Sequence, residues 1–124
     1  MKRKLLIRQA DKLWGRIIAY DFNQRCMFCG NVATDPHHWA FGRSTLMYRW
    51  NIMNGVYMCR KCHDDAGRFP SLTKARIQEL SSVHYVWFSG LPPLEVKPMP
   101  DMDIRDIYVG LRSHAKKRNL PVED

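Results

Sequence analysis

Two CxxC knuckles, Cys26-Met27-Phe28-Cys29 and Cys59-Arg60-Lys61-Cys62, constrain this chain more than any other feature. Each CxxC turn places two thiolates on one side of an ion, and a tetrahedral zinc takes four ligands. Cys26, Cys29, Cys59 and Cys62 make a complete set in the pattern C-x2-C-x29-C-x2-C, so the ends of the intervening loop must meet. Four cysteines could also pair as disulfides, in three ways. The compartment decides between the two. No run approaches the roughly 20 apolar residues of a membrane span. Met1-Lys2-Arg3-Lys4 is followed only by Leu5-Leu6-Ile7, too short for the apolar core of a secretory signal. A cytoplasmic protein without a membrane partner is expected, and its thiols stay reduced. The knuckles therefore read as one structural Zn2+ site, closed by four thiolates and offering no open position to a substrate.

That closed shell leaves three histidines unspent. His37 and His38 stand together in Pro36-His37-His38-Trp39, and His63 follows Cys62 directly. Phosphodiester hydrolysis at neutral pH needs an activated water and a cation to stabilise developing charge. A neutral imidazole can accept the water proton, and another can help bind a divalent metal. Adjacent residues of a regular strand face opposite sides, so His37 and His38 share one site only where a strand begins or bends. Pro36 supports such a start. A formal net charge of +8 over 124 residues points to a polyanionic partner, with nucleic acid the leading candidate.

The chain length fits one domain, residues 1–124. Ala10, Leu13, Trp14, Ile17 and Ile18 share one face of a helix expected over about 9–20, with Arg8, Lys12 and Arg16 largely off that face. A zinc-pinned core is expected over about 26–69. It holds short strands near His38–Phe41 and Val56–Met58, then a helix from about Arg60 that carries Cys62 and His63. Ser71 is a plausible N-cap for a helix over about 72–88. Leu94–Pro100 reads as an extended linker because of its flanking and internal prolines. A last helix, about 101–118, is capped by Asp101 and buries Ile104, Ile107, Tyr108, Leu111 and Ala115. The fold class is α+β: a ββα unit with an N-terminal helix and two C-terminal helices around it.

The motif string resembles the HNH, or ββα-metal, endonuclease superfamily, whose core is treble-clef-like. The resemblance rests on Cys26-x2-Cys29, Asp35-Pro36-His37-His38-Trp39, Arg49-Trp50-Asn51, and Asn54-Gly55-Val56-Tyr57-Met58-Cys59-x2-Cys62-His63. Within the superfamily it is similar to small phage proteins of the NinG or Rap recombination-endonuclease type. The resemblance implies that His38 is the general base and that His37 and His63 hold a catalytic Mg2+, Mn2+ or similar ion. It implies that Asn54 ties the loop between the strands and so orients the base. A further metal histidine of some relatives falls at Gly67 here, which leaves Asp35, Asp64 and Asp65 as candidate third ligands.

Arg43 and Arg49, between the two strands, suit phosphate binding because a guanidinium offers two parallel donors. Arg60, Lys61 and Arg68 flank the second knuckle and could grip the nucleic-acid backbone. Trp39, Tyr48 and Trp50 could stack on bases or fill the core. The expected activity is DNA nicking or cleavage in phage or prophage recombination, processing or packaging, in the cytoplasm of a bacterial host. RNA and branched DNA are further substrate classes, and a homodimer or a phage protein further partners. The competing reading is a non-catalytic zinc module that binds nucleic acid or protein.

Overall fold

The computed structural model describes residues 2–122. Its first helix, α1 (Arg3–Asp21), buries Leu6, Ala10, Leu13, Trp14, Ile17 and Ile18 along one stripe. The helix starts six residues before the expected Gln9, because Leu6 extends the stripe by one turn. Arg3 anchors that extra turn by donating to the Met99 carbonyl at 2.9 Å and to Asp101 Oδ1 at 2.6 Å. At the other end Arg118 donates to both carboxylate oxygens of Asp21, at 2.6 and 3.0 Å. These two clamps lay the last helix, α6 (Asp101–Lys117), beside α1 in the same direction, burying Ile104, Tyr108, Leu111 and Ala115. Asp101 is not the cap expected of it. Pro100 holds that position and Asp101, one residue on, turns to Arg3.

The chain leaves α1 through Asn23 and Gln24, both with positive φ, and enters the first knuckle. Gly30 closes that knuckle with φ of 75°, a left-handed position where glycine carries no Cβ penalty. Strands β1 (Asp35–His38) and β2 (Gly55–Met58) then pair antiparallel, with Asp35 opposite Met58, His37 opposite Val56 and His38 opposite Gly55. The first strand was expected three residues later, at His38–Phe41. It stops at His38 because a side chain takes over from the ladder: Ala40 and Phe41 donate their N–H groups to Asn54 Oδ1, at 3.1 and 2.9 Å. Pro36 is tolerated because a two-stranded sheet is all edge.

Gly55 fixes how closely α1 approaches this hairpin. A Cβ there would lie 2.5 Å from Ile18 Cδ1 and 2.7 Å from Trp14 Cζ2. Only glycine lets the buried face of α1 sit directly on the start of β2. A short helix, α2 (Leu46–Arg49), and a 3-10 turn (Ile52–Asn54) lie between the strands.

Helix α3 (Arg60–Arg68) follows β2 at once, with Cys59 as its N-cap. The single helix expected over 72–88 is two, α4 (Pro70–Leu80) and α5 (Ser82–Ser89). Ser81 is extended between them, and its Oγ accepts the His84 N–H and so caps α5. Ser71 is not a cap either, since α4 starts with Pro70 and has no side-chain cap. Trp39, Tyr48 and Trp50 are core residues rather than base-stacking surfaces: all three are buried. Trp39 packs on His84, Trp87 and Phe88, and Tyr48 stacks on Phe41. The architecture is α+β, and among the described residues no helix is long and apolar enough to cross a membrane.

Candidate functional site

The cysteine centre forms where the first knuckle meets the N-terminus of α3. The Sγ atoms of Cys26, Cys29, Cys59 and Cys62 all lie within 4.8 Å of one another, and Cys29 and Cys59 are 3.7 Å apart. Tetrahedral thiolates at about 2.3 Å from zinc stand about 3.8 Å from each other. The donor set and its spacing therefore fit a structural zinc ion. All four are free thiols. Burial pushes the Cys62 thiol up, and its neighbours Cys59 and Cys26 push it further. Burial would also raise Cys26, but the backbone N–H groups of Cys29, Cys59 and Phe28 outweigh it and bring it to about 6. The four cannot ionise together cheaply unless a cation joins them.

The histidine centre lies beside it. His37, His38 and His63 line one cleft of about 240 Å³ with Asp11, Trp14, Pro36 and Arg43. His37 and His38 come from β1, and His63 comes from the first turn of α3. The cleft therefore straddles the strand-to-helix junction, and both β1 histidines reach it.

Within it the rings are held differently. His38 stacks on Trp14, with centroids 4.1 Å apart and planes 6° from parallel. Its Nε2 is 2.9 Å from the Arg49 carbonyl. A carbonyl only accepts, so Nε2 carries the proton and Nδ1 keeps its lone pair. Burial lowers the His38 pKa. The bond to the Arg49 carbonyl and the charge of Asp11 oppose this, and Arg43 and Arg49 add to it. The net shift favours the neutral ring, the state suited to taking a proton.

His37 and His63 face each other edge-on, with centroids 5.2 Å apart. Burial first, then the charges of His63 and His38, push the His37 pKa down to about 4. His63 Nδ1 donates to Asp35 Oδ2 at 2.9 Å, which leaves the Nε2 lone pair outside that bond. Burial would raise the Asp35 carboxyl, but Thr34, His63 and Arg60 outweigh it and hold it below the usual range.

The candidate third ligands lie elsewhere. Asp35 is spent on orienting His63 and on an ion pair with Arg60 Nε at 2.9 Å. Asp64 is exposed, and Asp65 lines a different cavity beside Cys29 and Cys62. Among the described residues the cysteine quartet is the one cluster of three or more metal-binding side chains. The histidine cleft forms no such cluster.

Asn54 is fully buried between the strands. Its Oδ1 accepts from Ala40 and Phe41, and its Nδ2 donates to the carbonyls of Phe41 and Tyr48 at 2.9 and 3.0 Å. One side chain thus closes both ends of the loop that supplies the Arg49 carbonyl. Arg49 itself is not available for phosphate, contrary to the expectation from its position. Its Nε and Nη2 donate to Asp11 at 3.0 and 2.7 Å, and its Nη1 points to the Arg43 carbonyl at 3.3 Å. Arg43 lies exposed on the cleft rim. Arg60, Lys61 and Arg68 are exposed on α3, with Arg60 also bound to Asp35.

Two residues of the cleft escaped the sequence reading. Asp11 takes the Arg49 fork and the Trp50 indole N–H, the latter at 2.8 Å. Trp14 supports His38 from below and donates its own indole N–H to the Asn51 carbonyl at 2.9 Å. Nothing local marks Asp11, whose partners lie 38 and 39 residues away. Trp14 falls in the helical stripe and reads there as ordinary core. No family model, curated protein or solved structure matches the chain.

Proposed function

We infer that the chain is a metal-dependent DNA endonuclease of the HNH type, with a ββα-metal core formed by β1, β2 and α3. The observation that carries the reading is the convergence of His37, His38 and His63 on one cleft with opposite nitrogen commitments. His38 is held by Nε2 and presents Nδ1, whereas His63 is held by Nδ1 and presents Nε2. Either bond alone also satisfies an ordinary half-buried histidine, as the Ser81 hydroxyl does for His84 at 2.6 Å. A proton acceptor beside a pair of metal ligands needs both. The resemblance of the motif string to HNH nucleases supports the same assignment.

His37 and His63 would hold a divalent ion such as Mg2+ or Mn2+, which supplies stabilisation of negative charge on the phosphate and on the leaving oxygen. His38 Nδ1 takes a proton from the attacking water as its oxygen bonds to phosphorus. The bond from phosphorus to the leaving sugar oxygen breaks, and that oxygen is protonated from solvent. Trp14 and the Arg49 carbonyl keep the His38 ring in place while its charge changes. Arg43 contributes positive charge at the rim, where the phosphate enters.

Incubation of the zinc-loaded protein with supercoiled plasmid and Mg2+, Mn2+ or Ni2+ tests the reading. Nicked or linear product with at least one metal is expected. An intact plasmid with every metal, alongside retained DNA binding, replaces it with the non-catalytic zinc module.

A further inference from the structure

Helix α5 lies within Leu80–Leu94, the longest stretch of the chain without Asp, Glu, Lys or Arg. That stretch is fifteen residues long in a chain that is 26% charged. A helix with no charged side is ordinarily covered all round. α5 is covered on one side only. His84, Trp87 and Phe88 turn inward and pack on Trp39. Ser82, Val83, Tyr85, Val86 and Ser89 are exposed, with Val83 64% and Val86 67% accessible. At 3.6 residues per turn these five fill one arc of about 160°. The serine at its end adds little polarity, because Ser89 Oγ donates back to the Tyr85 carbonyl at 2.7 Å. Leu80, the last residue of α4, is also exposed.

Charge limits what can cover this face. Nucleic acid needs cations, and the outer face of α5 has none. Helices that lie on membranes set a basic polar face beside the apolar one, and α5 has no basic residue. A second copy of the chain meets the opposite restriction. Its net charge of +8 makes two copies repel wherever their basic surfaces meet. A two-fold contact sets a patch against itself, so the patch must be neutral or charge-balanced within itself. The outer face of α5 is neutral from end to end, and Tyr85 at its middle is a residue type enriched in protein interfaces.

We propose that the outer face of α5 is the contact surface of a two-fold dimer of this chain, with α5 of one copy packed on α5 of the other. The axis passes near Tyr85 and Val86, at the middle of the helix. The proposal is independent of the nuclease reading. An eight-residue helix is about 12 Å long, so the contact is small and the dimer reversible. Its salt dependence has a sign of its own. Salt screens the repulsion between two positive copies and leaves the apolar contact in place, so association tightens as salt rises. A contact held by ion pairs, or by nucleic acid carried between copies, weakens instead.

Sedimentation equilibrium on the zinc-loaded full chain, freed of nucleic acid, tests this over a range of protein and salt concentrations. A reversible monomer–dimer equilibrium that tightens with salt is expected. Val86→Glu enters a two-fold contact twice and is expected to weaken the dimer by about 100-fold, and Val86→Lys by a similar factor. Both are exposed positions for good helix formers, so zinc content and circular dichroism should match the parent. Mixing the two variants should restore a dimer containing one copy of each, which a folding defect could not produce. A monomer at every concentration and salt overturns the proposal. So does a dimer that weakens with salt, one that both variants leave intact, or a mixture of the two that stays monomeric. Plasmid nicking on the same samples reads the nuclease separately. Nicking by a strict monomer removes the surface and keeps the nuclease, whereas an α5 dimer that never cuts keeps the surface and removes the nuclease.

Discussion

Cys62 and His63 are neighbours on α3 and belong to two centres built on opposite principles. On the cysteine side four like donors close around one point, each CxxC turn delivering two of them. On the histidine side three rings share a cleft: Trp14 and the Arg49 carbonyl hold His38, Asp35 holds His63, and His37 meets His63 edge-on. The first centre is made by ligands alone, and its chemistry is finished once an ion is bound. The second has an open side, and two of its rings are held by groups around them. A short helix start can therefore carry parts of two centres, provided each is supported from a different direction.

The largest effect should fall on the cysteine side. Cys59→Ala removes a thiolate and the side-chain N-cap of α3 together. Structural zinc sites contribute on the order of 10 kcal/mol in small domains. The variant is expected to lose bound zinc and its cooperative thermal transition, read by metal analysis and circular dichroism. A normal melt would break the distinction between a structural and a reactive centre.

Asp11→Ala comes next. It leaves the mostly buried Arg49 guanidinium without its partner and removes the acceptor of Trp50. A loss of about 3 kcal/mol in urea unfolding is expected. Zinc content should be unchanged, which separates this support from the cysteine centre. His38 should also lose its fixed tautomer, visible in the nitrogen chemical shifts of its ring.

Asp35→Asn acts on His63 and on the Arg60 ion pair. Second-layer partners of metal-bound histidines are worth roughly 10- to 100-fold in affinity. Weaker binding of Mn2+ by that factor is expected in titration calorimetry, again with zinc retained. Equal affinity would show that Asp35 serves only Arg60.

The smallest effect is one of pH. With His38 as the proton acceptor, nicking is expected to fall as pH drops through its pKa. Burial holds that pKa below the ordinary 6.5, and the midpoint of the acid limb in kcat should lie below that value. A midpoint above 6.5 would mean that His38 is not shielded as its stack on Trp14 requires.

Much of this was legible in the chain itself. The knuckle spacing gave the cysteine cluster directly, because ligand geometry is local to each CxxC turn. The stripes of α1 and α6 follow from their apolar spacing. The ends of elements were less legible, since they depend on single side chains acting at a distance. Asn54 stops β1 by taking the N–H groups of Ala40 and Phe41, and Ser81 divides what reads as one helix into α4 and α5. The three histidines and Asn54 could be singled out, but Trp14, Asp11 and the Arg49 carbonyl could not be read as supports. Arg49 in a loop looks like a phosphate ligand until Asp11, far back in sequence, is brought against it. An ion pair between distant residues leaves no periodic trace in either segment.

The central claim is the division of labour within the cleft: His37 and His63 for the metal, His38 for the water. Mn2+ affinity and plasmid nicking, measured together on wild type, His38→Ala and His63→Ala, test it most directly. His38→Ala is expected to bind Mn2+ as wild type does while nicking falls by about 10²- to 10⁴-fold, and His63→Ala to lose both binding and nicking. Wild-type nicking by His38→Ala, or undiminished Mn2+ binding by His63→Ala, would contradict it.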